Sequence, residues 1–325
     1  MSRTARFREI AGGVLIASTV LAGSADAAWP KRTVTIVTPY AAGGIADVVA
    51  RLTAERLQSS LKHPFVVENQ TGAAGTTAPD RVAKATPDGY TLMSTPIFQL
   101  TTAKYVQNVT FDAQRDFTAI AGVASAPFVI TVGASFPGNT LAEFIAHVKA
   151  NPGKLTFGSA GVGSTTHVAA VLVLKAAGLD MIHVPYRGVA PAFTDLLAGH
   201  IAMVAGSPVE LKPYLDSGKL KPLAVVDNKR SPHLPNVPIV TDTLKDCPPA
   251  VTYNGLLGPA HLPKEIVDTL SRELVAAGKS EEFRQRLLNV GLEPLLNTPE
   301  DFAKIIAADS AQWNGIMPGL NLKQQ

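Results

Sequence analysis

The chain has 325 residues, 46% of them hydrophobic and 17% charged, with a formal net charge of +3. That composition excludes a disordered chain, and so small and scattered a charge excludes a nucleic-acid partner. The single cysteine, Cys247, rules out an internal disulfide, and such cysteine poverty suits an oxidising compartment.

Residues 1–27 read as a secretory leader. Arg3, Arg6 and Arg8 form a basic start, Ile10 to Gly23 is an apolar run, and Ala25-Asp26-Ala27 is a small-residue cleavage pattern. The run is shorter than the roughly 20 residues a membrane span needs. An N-terminal anchor is the alternative. No cysteine stands at the cleavage point for a lipid anchor. The expectation is a periplasmic protein, free after cleavage, starting near Ala28 or Trp29.

Beyond the leader, strand-like and helix-like segments alternate. Val34 to Pro39 is a strand; Ile45, Val48, Val49, Leu52, Leu57 and Leu61 then mark one stripe of a helix. Pro64–Glu68 and Tyr90–Thr95 read as strands. Thr140-Leu-Ala-Glu143 is a capping-box start for a helix through Val148. Leu155–Gly158 is a strand, and Thr165–Ala177 a helix apolar nearly all round, hence buried. Strands at Met181–Val184, Ile201–Ala205 and Leu223–Val226 follow, with a helix at Pro191–Ala198. Near the end, Thr298 and Pro299 are suited to N-cap and first-turn positions, and Trp313 and Ile316 should pack the last helix onto the body.

This alternation predicts an α/β fold of parallel-rich sheets covered by helices. Ala126–Gly133 and Pro248–Leu257 read as two crossings between lobes. Lobe one would be discontinuous, residues 28–125 and 251–325, and lobe two residues 126–250.

Two glycine-rich turns lie after strands and before helices, where ligands bind in such folds. The first is Tyr40-Ala41-Ala42-Gly43-Gly44-Ile45-Ala46-Asp47. The second runs from Gly158 through Ser159, Gly161, Gly163, Ser164 and Thr165 to His167. Both offer backbone N–H groups to an anion. Gly158-x4-Gly163-Ser164-Thr165 misses the lysine of a nucleotide-binding loop, because Ser164 stands in its place. A plain tight connection is the competing reading. A micromolar complex needs roughly 8 kcal/mol, and a hydrogen bond to a charged group gives ~1.5–3 kcal/mol, so a few N–H donors on one carboxylate suffice.

Asp47 either pins its loop and caps the helix, or meets a ligand amino group or bridging water. His167 either bonds locally or touches ligand. Tyr186-Arg187-Gly188 follows a strand end, so Arg187 meets a second carboxylate or lies at the surface or hinge; Asp195 faces solvent or caps. Gln99 and Ser207 each follow a strand end and are weaker cleft candidates. Cys247, before two prolines, reads as an ordinary buried or loop residue. No Gly-x-Ser-x-Gly elbow and no histidine pair with metal spacing occur, so neither catalysis, metal nor cofactor is expected.

The chain resembles the substrate-binding receptors of tripartite tricarboxylate transporters, the Bug family. The resemblance covers almost the whole chain after the leader. It is carried by Trp29-Pro30, Val34 to Gly44 with Asp47 and Ala50-Arg51, Val67-Glu68-Asn69, Gly72 to Gly75 and Pro87 to Leu92. Further on it is carried by Asn151 to Leu155, Gly158 to His167, His183 to Ala192, Asp195 to Gly199 and Ser217 to Lys221. It implies a two-lobed Venus-flytrap fold, type II-like, with two hinge crossings and a small carboxylic acid gripped by the turns Tyr40–Asp47 and Ser159–Thr166. It also implies delivery to a two-subunit membrane permease, or in some relatives signalling to a sensor kinase. A monomer is expected, and a periplasmic enzyme using Asp47 or His167 as general base is the remote alternative. The family often has Ser or Thr where Ala46 stands, and differs at Gln70-Thr71 and Gly75-Thr76-Thr77. The ligand is therefore expected to depart from the commoner dicarboxylates.

Overall fold

The computed structural model describes residues 29–320 and 322. The leader and its cleavage point lie outside the described residues. Strand β1 (Val34–Thr38) leads to helix α1 (Ile45–Leu61), and β2 (Phe65–Asn69) to α2 (Thr77–Ala83). Then come β3 (Thr91–Pro96), α3 (Ile97–Val106), β4 (Phe117–Pro127), β5 (Val129–Gly133) and α4 (Leu141–Lys149). β6 (Thr156–Ser159), α5 (Thr165–Ala177), β7 (Ile182–Pro185), α6 (Val189–Ala198), β8 (Met203–Gly206), α7 (Pro208–Asp216) and β9 (Leu220–Val225) follow. The chain closes with β10 (Val251–Pro259), α8 (Lys264–Ala277), α9 (Glu281–Asn289), β11 (Glu293–Pro294) and α10 (Pro299–Ile316).

The strands form a six-stranded sheet, β11-β4-β10-β3-β1-β2, and a five-stranded sheet, β7-β6-β8-β5-β9. Each is mixed. β1 runs parallel to β2 and β3, and β6 parallel to β7 and β8. β10 is antiparallel to β3 and β4, and β5 antiparallel to β8 and β9. The strands that enter a sheet from a crossing, β5 and β10, run opposite to the βα strands, as does the short β11 at the sheet edge. A strand entering a lobe straight from the other sheet has no helix to return it to the same end, so it runs opposite to the βα strands.

The crossings lie side by side. β4 leaves the first sheet at Pro127 and β5 joins the second at Val129; Pro127 pairs with Val251 at the start of β10. Between them Phe128 N–H donates to Ala250 C=O, Ala250 N–H to Val226 C=O, and Val226 N–H to Phe128 C=O. The run at 126–133 thus ends β4 in one sheet and forms β5 in the other, while the run at 248–257 meets Val226 through Ala250 before entering β10 of the first sheet.

The local helix signals hold. Thr140 and Glu143 form both bonds of a capping box at α4, and the Thr298 hydroxyl accepts from Asp301 N–H with Pro299 in the first turn of α10. Trp313 is buried edge-on against Phe98, and its Nε1–H donates to Asp309 at 3.0 Å. Beyond it Met317, Leu320 and Leu322 pack with α5 residues such as Val168 and Leu172. The end of α10 therefore ties the α3 side of the first sheet to the α5 side of the second. Cys247 is buried.

Candidate functional site

The carboxyl ends of β1, β3, β6, β7 and β8 all feed helices whose N-termini face one cleft between the sheets. The cleft has a volume of about 270 Å³. One wall is the first turn, with Tyr40, Ala42, Gly43, Gly44 and Ala46, together with Pro96. The facing wall brings Ala160, Thr165 and Thr166 from the α5 turn, Arg187 to Pro191 from the start of α6, and Val209 and Glu210 from α7.

The first turn is held from behind. Asp47 is buried, and its carboxylate accepts from Gly43 N–H at 3.0 Å, Arg51 Nε at 3.0 Å, Arg51 Nη2 at 2.8 Å and Asn69 Nδ2 at 2.9 Å. Burial pushes the acid's pKa up, but the donors Arg51, Asn69 and Gly43 outweigh it and hold the pKa below the ordinary value. Asp47 pins the loop, as the first of its two sequence readings has it. Gly43 takes a positive φ of 91° that lets its N–H turn inward. The first helical bond of α1 is Val48 N–H to Gly44 C=O, so the N–H groups of Ile45, Ala46 and Asp47 belong to the open end of the helix. The Tyr40 hydroxyl donates to Gln99 Oε1 at 2.5 Å, and burial raises its pKa.

The second turn spends most of its polar groups on itself. Ala160 N–H donates to Thr166 Oγ1 (2.9 Å), Gly161 N–H to Ser159 Oγ (3.1 Å), and Gly163 N–H to His167 Nδ1 (3.0 Å). Ser164 is the N-cap of α5, accepting from His167 N–H. These bonds position the loop, with the buried Thr166 hydroxyl among its acceptors and Thr165 partly exposed toward the cleft. Gly163, at φ +74°, lies against the other lobe, and a Cβ there would sit 2.4 Å from Val106 Cγ2 of α3. Glycine at this position is what lets the two walls approach.

The structure thus places Tyr40, Ala42, Gly43, Gly44, Ala46 and Thr165 on the cleft walls. Ser159, Ser164, Gln99, Ser207 and Asp47 are buried behind those walls. Gly161 and Gly163 shape the α5 loop through the internal bonds above. Tyr186 reaches Asp195 Oδ2 with its hydroxyl (2.6 Å); burial, then this partner, raises its pKa to about 12. Arg187 lines the cleft. Glu210 was missed, although Ser207-Pro208-Val209-Glu210 carries the same capping-box spacing used at Thr140.

Beneath the α5 turn, His167 and His183 stack with ring centroids 3.8 Å apart, and Phe157 stacks on His183 at 4.9 Å. His183 Nε2 also meets Ser159 Oγ at 2.7 Å. Burial, reinforced by His167, pushes the pKa of His183 down to about 3 from 6.5. As pH falls, the unfolded chain takes up this proton first, so stability present above pH 6.5 is lost progressively toward pH 3. Denaturant titrations should show about 1 kcal/mol lost between pH 6 and pH 5 through this group. Substitution His183→Phe should flatten that part of the profile; an unchanged slope would show that the stacked pair is not its source.

The fold and the cleft define a two-lobed binding protein of the periplasmic type. The model of the tripartite tricarboxylate transporter family receptor matches residues 49–322, and the chain belongs to that family. BugT of Bordetella pertussis is 29% identical over 310 residues, 94% of each chain. Among solved structures, Rpa4515 of R. palustris with adipate superposes with a TM-score of 0.87 at 30% identity, covering 90% of this chain and 98% of that one. MatC (Rpa3494) of Rhodopseudomonas palustris, with bound malate, gives 0.83 at 30% identity, covering 89% of this chain and 100% of that one.

Proposed function

We propose that this chain is a periplasmic receptor that captures a small organic acid between its lobes and delivers it to a membrane permease. The observation that carries the reading is the convergence of the α1 and α5 N-termini on one cleft. Open helix ends favour an anion, and a carboxylate at their junction accepts N–H and hydroxyl donors without needing a paired arginine. Ala42, Gly44, Ala46, Thr165 and Thr166 form the grip. Asp47, Ser159, Ser164, Gly161 and Gly163 hold the two turns in register. The adipate of Rpa4515 and the malate of MatC are ligands of this same class.

Catalysis has no support in the geometry. Asp47 is occupied by three donor residues, and His167 Nδ1 by the Gly163 N–H. Neither is poised as a general base. Among the described residues no cluster of His, Cys, Asp and Glu could hold a metal, and no helix is long and apolar enough to cross a membrane.

A melting-temperature screen of the leaderless protein against mono-, di- and tricarboxylates, aromatic acids and acidic amino acids tests the reading. At a concentration a hundred times Kd, a ligand stabilises by about 2.7 kcal/mol, a rise of several degrees. At least one organic acid should give that rise and be recovered chemically unchanged. No rise with any acid, or its consumption, would contradict the receptor assignment.

A further inference from the structure

Glu210 reaches the cleft from the lobe opposite α1. It is the third residue of α7, and its Oε2 accepts from Ser207 N–H and from the Ser207 hydroxyl, each at 2.9 Å. These two bonds fix the direction of the carboxylate. Its other oxygen, Oε1, then faces the start of α1 across the cleft. A Cβ placed on Gly44 would lie 3.7 Å from Oε1, so the carboxylate stands against the start of α1. Gly44, the N-cap of α1, offers no capping side chain of its own. The Glu210 carboxylate therefore stands at the start of α1 from the other lobe, at the end where the helix dipole favours negative charge. Burial, the largest influence, leaves the pKa of Glu210 raised above its ordinary value, with the Ser207 and Ile45 backbone groups and the Ser207 hydroxyl acting against it.

The rest of the cleft has a different character. Thr165, Thr166 and Arg187 stand at the α5 and α6 side. Val189, Pro191, Phe193 and Tyr214 make an apolar wall beyond them.

We propose that Glu210 is a specificity-determining residue that makes this cleft a one-carboxylate site. The ligand's carboxylate goes to the α5 side of the junction and its apolar body lies against Val189, Pro191 and Phe193. A second carboxylate directed at α1 meets a charge already in place. It must either stand beside Glu210, a like charge, or displace it and strand the Ser207 donors. This inference rests on the organic-acid receptor reading and names its ligand class: monocarboxylic acids with an apolar chain or ring.

Hexanoate and adipate share a six-carbon chain and differ by one carboxylate. Calorimetric titration of both into the wild type and Glu210→Gln tests the assignment, with Glu210→Ala as a second variant and circular dichroism to verify folding. The wild type should bind hexanoate at least about tenfold more tightly than adipate. Both variants should narrow that ratio by about tenfold or more, through a gain in adipate affinity. A wild type that prefers adipate, or a ratio unchanged in the folded variants, overturns the role of Glu210. If the wild type binds neither acid while other organic acids shift its melting temperature, the ligand class is wrong and the receptor reading stands. If no organic acid binds, the receptor reading falls and this inference with it.

Discussion

Substitution Gly163→Val is expected to lower the melting temperature and to abolish ligand-induced stabilisation. Gly163 has φ +74°, a region that a β-branched residue enters at a cost of about 1–2 kcal/mol. Its Cβ would lie 2.4 Å from Val106 Cγ2 and 2.8 Å from Val106 Cγ1. Overpacking of this kind typically costs 1–3 kcal/mol more, so a total of roughly 2–5 kcal/mol is expected. Val106 ends α3 on the side of the six-stranded sheet, whereas Gly163 belongs to the loop of the five-stranded one. Relieving the clash displaces the α5 loop from Val106, and a displaced loop cannot complete the facing wall of the cleft. Thermal melts with and without the best organic acid check this. The double substitution Gly163→Ala with Val106→Ala removes the two closest atoms and should recover part of the shift. A full ligand shift in Gly163→Val would show that the cleft closes without this contact.

The second large effect is expected for Asp47→Asn. Each Asp47 oxygen accepts two hydrogen bonds, Oδ1 from Arg51 Nη2 and Asn69, and Oδ2 from Gly43 and Arg51 Nε. An asparagine turns one acceptor into a donor, so two of the four donors lose their partner whichever way the amide points. Hydrogen bonds to a charged group contribute about 1.5–3 kcal/mol each. The Arg51 side chain is 55% exposed, so its share is discounted for solvent screening. A stability loss of roughly 2–3 kcal/mol is expected, with at least a tenfold loss of ligand affinity as the Gly43–Gly44 turn loosens. Because the folded pKa is depressed, this stability is present above the unfolded value of 3.8 and lost as pH falls through it. Calorimetry and denaturant titration measure both effects. A folded Asp47→Asn protein with wild-type stability and affinity would show that the network behind the turn is dispensable.

The parts of this molecule that could be read from the sequence are the ones governed by near neighbours in the chain. The stripe of α1, the capping box Thr140–Glu143, the Thr298-Pro299 start and the two glycine turns each follow from residues within a turn or two of one another. The mixed character of the sheets could not be read that way. An apolar run such as Val129–Gly133 reports burial, and its direction in the sheet is set by the crossing from β4, around which Pro127 pairs with Val251 and Val129 with Val225, residues far apart in the chain. The site divides along the same line. The location of the turns was legible, but the direction of each N–H was not. Gly43, Gly161 and Gly163 were read as ligand donors, yet acceptors on Asp47, Ser159 and His167 draw their N–H groups inward. Gln99 and Ser207 follow strand ends as read, but Gln99 supports Tyr40 from behind and Ser207 caps α7 and aims Glu210. Glu210 itself acts on a helix 165 positions away, from Ile45 to Glu210, a contact only the closed fold creates.

Crystallising the leaderless protein with the organic acid that shifts its melting temperature most tests the central claim directly. The ligand carboxylate should lie in the cleft between the α1 and α5 turns, within hydrogen-bond reach of Thr165 or Thr166 and facing Ala42 to Ala46. A carboxylate seated elsewhere, with that junction filled only by solvent, would contradict it.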